Sequence, residues 1–152
     1  MRAEKQLLVD LTNAGVPYSY EQSSAPVFGR LQNMFPVGGS KIAWSRVPGS
    51  AVETADTSDG DSYLSAAESF FDRNLAGHGL SDEVEILVVG DSAMDGAVRM
   101  SLSSLRSCLG IVLGMPQHTY VLPQDAEWCF VFTMEGDLCF GYSPSSQAAS
   151  ES

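Results

Sequence analysis

A serine that follows an apolar run is the first candidate for chemistry in this sequence. Val88-Val89-Gly90-Asp91-Ser92 would place Ser92 at the end of a strand, where its hydroxyl meets solvent. A serine becomes a nucleophile only when a histidine base lies within hydrogen-bond reach, an acid orients that histidine and donors stabilise the oxyanion. His78 and His118 are the two histidines of the chain. The chemistry to test is therefore acyl hydrolysis at Ser92.

The segment from Val88 to Gly96 resembles the first block of the GDSL (SGNH) hydrolases, in which a strand delivers the nucleophile at a Gly-Asp-Ser turn. That resemblance implies that Ser92 is the nucleophile. The family takes its base from an Asp-x-x-His segment and an oxyanion donor from a Gly-x-Asn-Asp segment. Here Met115 stands where the Asp before His118 is expected, and the second segment is absent. A turn that merely ends a strand is the competing interpretation.

Metal and cofactor sites have little support in the sequence. Asp56-Thr57-Ser58-Asp59-Gly60-Asp61 is similar to a calcium loop, but aligning Gly60 with position six puts Ala55 and Ala66 at the end-ligand positions. The cysteines form no Cys-x-x-Cys pair, and glycine-rich phosphate loops are absent. We therefore expect neither a metal nor a cofactor.

The charge of the chain narrows the class of partner. Its 152 residues include 19 Asp and Glu against 8 Lys and Arg, which gives a formal net charge of −11. Phosphate backbones and anionic membranes both attract clustered Lys and Arg, so this balance disfavours nucleic acid and membrane as partners. A basic protein partner remains.

Most of this charge falls in one stretch. Residues 53–95 hold eleven acids and one base, Arg73, so their net charge is −10. A block of this kind is either a solvated face or a surface that recruits a cationic protein. On the second interpretation, the predicted partner-binding residues are Asp56, Asp59, Asp61, Glu83, Glu85, Glu135 and Asp137.

Periodicity predicts the elements that position these residues. Apolar side chains at helical spacing predict helices over 4–14, 61–76 and 102–113, with a short one around 28–35. Alternating or β-branched runs predict strands over 41–47, 84–89, 97–100, 119–122, 128–133 and 138–142. Consecutive hairpins exclude a parallel βαβ series. We therefore expect an α+β fold, with a mostly antiparallel sheet and about three helices packed mainly on one face.

The ends of the chain and its cysteines bear on organisation and compartment. We expect one globular domain over 1–142 and a flexible tail over 143–152, where apolar residues are scarce. The N-terminal stretch lacks the apolar core of a signal peptide. Cys108, Cys129 and Cys139 lie in apolar patterns and are typical of reduced, buried thiols. A cytoplasmic protein is expected.

The C-terminal strands carry a second resemblance. His118-Thr119-Tyr120-Val121-Leu122, followed by the Trp128 strand and the acidic turn at Glu135 to Asp137, resembles the closing strands of small bacterial immunity-type proteins of toxin systems. That resemblance implies a non-enzymatic protein that binds and blocks a cognate toxin, often a nuclease or another cationic effector. It offers no catalytic residues.

The leading hypothesis is thus a non-catalytic, acidic binding protein of the immunity type. A regulatory interaction domain of unknown partner is one alternative, and a GDSL-like Ser92 hydrolase is the other. Trp44, Trp128 and Tyr142 are either core residues or exposed anchors for a partner.

Overall fold

The computed structural model describes residues 2–38, 41–145 and 147. The α-helices there are α1 (Arg2–Asn13), α2 (Ala25–Met34), α3 (Gly60–Gly77), α4 (Leu102–Ser107) and α5 (Leu109–Leu113). The strands are β1 (Ser19–Glu21), β2 (Val37–Gly38), β3 (Lys41–Ile42), β4 (Ala51–Thr54), β5 (Glu85–Gly90), β6 (Ala97–Ser101), β7 (Thr119–Pro123), β8 (Trp128–Phe132) and β9 (Asp137–Tyr142).

Seven of these strands form one sheet in the order β1-β6-β5-β7-β8-β9-β4, and every neighbouring pair in it is antiparallel. β2 and β3 form a separate two-stranded ladder. The expected α+β class with an antiparallel sheet is confirmed.

The sheet is buried on both faces. One face packs against α1, α3, α4 and α5, and its core includes Leu7, Leu11, Phe70, Phe71, Leu105, Val112, Phe130 and Phe140. The other face packs against α2 and the segment that follows it, through Val27, Leu31, Phe35, Val47, Leu87, Leu122 and Val131. Four helices therefore cover one face, while α2 covers the second. This arrangement explains why β8 is apolar at every position instead of alternating.

Local chemistry fixes several boundaries. The predicted helix over 102–113 is divided at Cys108 into α4 and α5, and the Ser101 side chain accepts from the Ser104 amide to cap the first of them. The predicted strand over 41–47 is wrong beyond Ile42, because Trp44–Arg46 forms a 3-10 turn. Helix α2 begins earlier than expected, since Pro26 suits a first helical turn.

Contacts with the globular body continue beyond Tyr142. Ser143 is fully buried, and the Gln147 side chain donates to the carbonyls of Pro48 and Tyr142. The predicted tail over 143–152 therefore contacts the domain up to Gln147, while its residues 146 and 148–152 lie outside the described residues.

No helix within the described ranges has the length and apolar character needed to cross a bilayer. Cys108, Cys129 and Cys139 are free thiols, and all three are buried.

Candidate binding site

The register of the sheet brings five strand ends to one place. Gly90 pairs with Thr119, and Thr119 in turn pairs with Phe132. The turn after β8 leads directly into Asp137, which pairs with Thr54 at the end of β4. We call this side of the molecule the hairpin end, because the tight turn between β8 and β9 projects there.

Five of the seven predicted partner-binding residues lie at the hairpin end. Three lie on the segment from β4 into α3, one lies on the β8–β9 turn and one begins β9: Asp56, Asp59, Asp61, Glu135 and Asp137. The two segments are joined by a hydrogen bond from the Ala55 amide to the Gly136 carbonyl at 2.8 Å. We call these five the hairpin-end carboxylates. All are exposed except Asp137, which is half-buried.

The other two predicted residues lie at the opposite end of the sheet. Glu85 begins β5, whereas Gly90 ends that strand at the hairpin end, and Glu83 precedes it in the loop. Glu85 also accepts from Arg99 at 2.9 Å. The structure therefore divides the predicted surface into two, and Glu83 and Glu85 cannot share a contact area with the hairpin-end carboxylates unless a partner spans the sheet.

Two of the hairpin-end carboxylates also have structural roles. Asp59 is the N-cap of α3, where its Oδ1 accepts from the Asp61 amide at 3.1 Å and its Oδ2 from the Ser62 hydroxyl at 2.9 Å. Asp56 accepts from the Ser58 amide, and that hydrogen bond lowers the pKa of the Asp56 carboxyl. The lowered pKa keeps Asp56 ionised at neutral pH, and hydrogen bonds from backbone amides fix the direction of both carboxylates.

Arginines neutralise acids elsewhere on the molecule. Arg73 binds Glu53 through both terminal nitrogens, and Arg106 binds Asp72 and Glu68. Arg99 binds Glu21 and Glu85, so these three guanidinium groups pair with carboxylates outside the hairpin end.

Among the lysines and arginines that the structure describes, Lys41 alone forms an ion pair with a hairpin-end carboxylate. Its Nζ lies 3.7 Å from Glu135 Oε1, and both side chains are more than half exposed. A hydrogen bond from the Glu135 backbone, with His118 and Lys41 nearby, lowers the pKa of Glu135. An exposed pair of this kind is weak, so most of the negative field at the hairpin end remains available to a partner.

A cavity of about 200 Å³ opens beside these carboxylates. It lies between the start of α3, the chain from α5 to β7, and the β8–β9 turn. Its apolar lining comes from Tyr63, Leu113, Met115, Phe132 and Met134. Met134 is 57% exposed, which makes it an unusually open apolar side chain at a turn otherwise occupied by charge.

Three buried polar residues line this cavity, and Gln117 is one of them with Thr119 and Thr133. Gln117 is 3% exposed, and its Oε1 accepts from the Ala93 amide at 3.1 Å. That bond fixes which end of the amide is oxygen. Its Nε2 is buried and has no hydrogen-bond partner among the described residues. Gly90 permits this placement, because a Cβ there would overlap the Gln117 amide.

Neither histidine, both of which lie in the described part of the chain, is placed as a base for Ser92. Ser92 Oγ donates to the Pro116 carbonyl at 3.4 Å. His118 Nδ1 accepts from the Met134 amide at 3.0 Å, and its Nε2 faces Asp91 Oδ2 at 3.9 Å, so neither nitrogen is directed at Ser92. His78 packs on Phe140 at the other side of the molecule.

Aromatic anchors and metal ligands do not define the site. Trp128 is buried in a core, whereas Trp44 and Tyr142 are half-buried and pack against the cores through Phe35 and Phe140. Within the described ranges, no group of three or more His, Cys, Asp or Glu side chains is arranged to hold a metal ion.

The site residues predicted from the sequence did not include Gln117, Met134 or Lys41. Each has a local signal whose role is clear only in the fold. Gln117 is a polar residue between Pro116 and His118, Met134 is an apolar residue in a turn, and Lys41 is a basic residue that begins a short strand. The chain matches no protein-family model, and no curated protein matches it as a relative.

Proposed function

We propose that this chain is a non-catalytic, acidic binding protein of the immunity type, which binds and neutralises a cationic toxin domain through the hairpin-end carboxylates. The observation that carries the proposal is that two segments far apart in sequence bring five carboxylates to one end of the sheet, while the arginines described above pair elsewhere.

The electrostatics of a toxin nuclease favour such a surface. A nuclease presents Lys and Arg to phosphates, and an inhibitor with clustered carboxylates can cover those groups and associate rapidly through long-range attraction. Asp59 and Asp56 are held by backbone hydrogen bonds, which reduces the entropy lost when a cation binds. Met134 adds an exposed apolar contact among the charges.

The proposal is tested with the proteins encoded by the genes next to this one. Each basic product is co-expressed with the chain, and cell growth and binding affinity are measured. Asp56→Lys with Asp61→Lys reverses two hairpin-end charges and spares the Asp59 cap. Asp82→Lys with Glu83→Lys makes the same change of net charge at the opposite end.

We expect the hairpin-end pair to weaken binding by about 100-fold and to abolish protection, at about tenfold for each reversed carboxylate. The opposite-end pair should change affinity by less than about threefold. The proposal fails if both pairs weaken binding equally, or if no neighbouring basic protein binds. Binding to a basic protein that is harmless to cells would instead favour the regulatory alternative.

Salt gives an independent measurement on any partner found. The Debye length falls from about 30 Å at about 0.01 M salt to about 8 Å at about 0.15 M, so the association rate constant should fall over that range. The hairpin-end double variant should lose this salt dependence, whereas a rate constant that ignores salt in the unmodified protein would contradict electrostatic attraction.

A further inference from the structure

An open groove of about 460 Å³ lies between the start of α2 and the turn that joins β5 to β6. It opens at the hairpin end, because its lining includes Gly90, where β5 ends. Phe28 and Met94 supply apolar walls, and Asp91 and Asp95 supply two carboxylates. The Gly-Asp-Ser segment, which has no histidine base beside its serine, therefore forms one side of an acidic groove with an apolar lining.

The chain holds both acids of the groove in place. Asp91 Oδ1 accepts from the His118 amide at 2.9 Å. The Asp95 backbone is fixed on both sides, since its N–H donates to Glu4 Oε2 at 3.0 Å and its carbonyl accepts from the Ser24 amide at 2.9 Å. Among the residues that the structure describes, neither acid forms an ion pair with a lysine or an arginine. Their negative charge is therefore available to a cation from outside the chain.

His118 joins this groove to the hairpin-end carboxylates. Its Nε2 lies 3.9 Å from Asp91 Oδ2, and its Nδ1 lies 3.8 Å from Glu135 Oε2. The acids of the β5–β6 turn and of the β8–β9 turn thus lie on two sides of one imidazole. A partner that covers Glu135 is therefore next to the groove.

We propose that the groove receives an arginine side chain of the cationic partner, an inference that rests on the proposed function and specifies how that partner is bound. The guanidinium pairs with the two carboxylates, and the aliphatic stem lies against Phe28 and Met94. A guanidinium suits these walls better than an ammonium, because it is more weakly hydrated, stacks on aromatic rings and binds a carboxylate through two donors. An anion is disfavoured, since the Ala25 amide at the start of α2 already donates to Ser23 Oγ.

Three small probes test the groove on the full chain without a partner. They are the N-acetyl methylamides of arginine, of citrulline, which has the shape of arginine without its charge, and of lysine, which has the charge without the planar group. Each is titrated at low salt into the isotope-labelled chain, and the backbone amide signals of Phe28 and Met94 are followed by two-dimensional NMR. We expect the arginine probe to shift these signals saturably at millimolar concentration, with citrulline at least about tenfold and lysine at least about threefold weaker.

Two variants locate the binding. Asp91→Asn with Asp95→Asn removes both charges of the groove and retains the acceptor oxygens, and Ala25→Leu narrows the groove while both carboxylates remain. All three positions are exposed, so the fold should be retained. Either variant should weaken the arginine probe by at least about fivefold. The control, Asp56→Asn with Asp61→Asn, makes the same change of net charge outside the groove and should change its affinity by less than about twofold.

Four results would overturn the inference. Absence of a saturable shift would mean that the groove binds no arginine, and equal binding of citrulline would remove the role of the carboxylates. Equal binding of lysine would refute the choice of a guanidinium. Equal weakening by the groove pair and the control pair would assign binding to the general negative field.

The probe series needs no partner, so its failure is distinct from failure of the proposed function. If the probes fail while a neighbouring basic protein still binds the hairpin-end carboxylates, the groove alone is refuted. If the arginine probe binds as expected but no neighbouring basic protein does, the proposed function fails and, with it, the assignment of the arginine to a toxin.

Discussion

Glu4 Oε2 accepts the backbone N–H of Gly96 at 2.9 Å, which joins the first turn of α1 to the turn between β5 and β6. The same oxygen accepts from the Asp95 amide at 3.0 Å, and Glu4 Oε1 accepts from the Tyr20 hydroxyl at 2.9 Å. Glu4 is only 6% exposed. One buried carboxylate therefore holds three elements together and positions the turn that carries Ser92.

Replacing this carboxylate should destabilise the fold. Glu4→Gln removes the charge that strengthens these hydrogen bonds, and we expect it to lower the free energy of unfolding by about 2 kcal/mol. Urea denaturation measures the change. The matched control is Asp10→Asn on the same helix, where the partner is the exposed Gln6 and the loss should stay below about 0.5 kcal/mol. Equal losses in the two variants would refute the role assigned to Glu4.

Two substitutions of Asp59 should separate the effect of its helix cap on stability from the effect of its charge. Asp59→Ala removes the N-cap of α3 and should cost about 1 kcal/mol of stability. Asp59→Asn retains a capping oxygen and removes only the charge, so its stability should stay within about 0.5 kcal/mol of the unmodified protein. Thermal and urea unfolding of both variants provide the comparison. A loss with Asp59→Asn as large as that with Asp59→Ala would show that charge, rather than capping, stabilises the helix start.

The buried thiols should resist modification and reduce stability at high pH. Burial raises the pKa of the Cys108 thiol from its ordinary value of 9.0 to about 11. Burial likewise raises the pKa of Cys139 to about 12. Because each folded-state pKa lies above the unfolded value, the stability they contribute is complete below the ordinary pKa. That stability is lost as pH rises toward the folded value.

Cys108→Ala isolates one of these contributions. From about pH 9 to about pH 11, the unmodified protein should lose about 1.4 kcal/mol more per pH unit than the variant. At about pH 8, a thiol reagent should modify the native thiols far more slowly than those of the urea-unfolded chain. Parallel pH profiles for the two proteins, or rapid labelling of the native thiols, would be inconsistent with this account.

Ser92 should be dispensable for any ester turnover. Its hydroxyl is directed to the Pro116 carbonyl, and His118 is engaged by Met134 and Asp91. Assays on short acyl esters should therefore give the same background rate before and after Ser92→Ala. His118→Ala is the companion variant. A rate that falls with both substitutions would reinstate the hydrolase alternative.

The elements that the sequence predicts correctly are those with a strong local pattern of residues. The stripe of Phe70, Phe71 and Leu75 placed α3 within a residue at each end, and Gly136 marked the β8–β9 turn, where its φ of 95° suits glycine. Short edge elements escaped, since β1 and β4 bury too few side chains to create an apolar pattern.

The site was harder to predict because it depends on strand order. Asp56 and Asp137 lie at the same end of the sheet because β4 pairs with β9 at the far edge, a long-range pairing that no local pattern records. The same order sent Glu83 and Glu85 to the other end, although they lie closer in sequence to Asp61 than Asp137 does. The burial of Gln117 likewise depends on its contact with Gly90, which lies on a neighbouring strand.

The covering of both sheet faces has a consequence for how this molecule can change. The residues that hold the fold together point into two packed interiors. Asp56 and Glu135 lie in loops and Asp61 lies in the first turn of α3, and all three side chains are exposed and enter neither interior. Except at Asp59, the exposed side chains at these positions can be substituted without repacking the interior. The scaffold is thus suited to acquiring new binding preferences while its architecture stays constant.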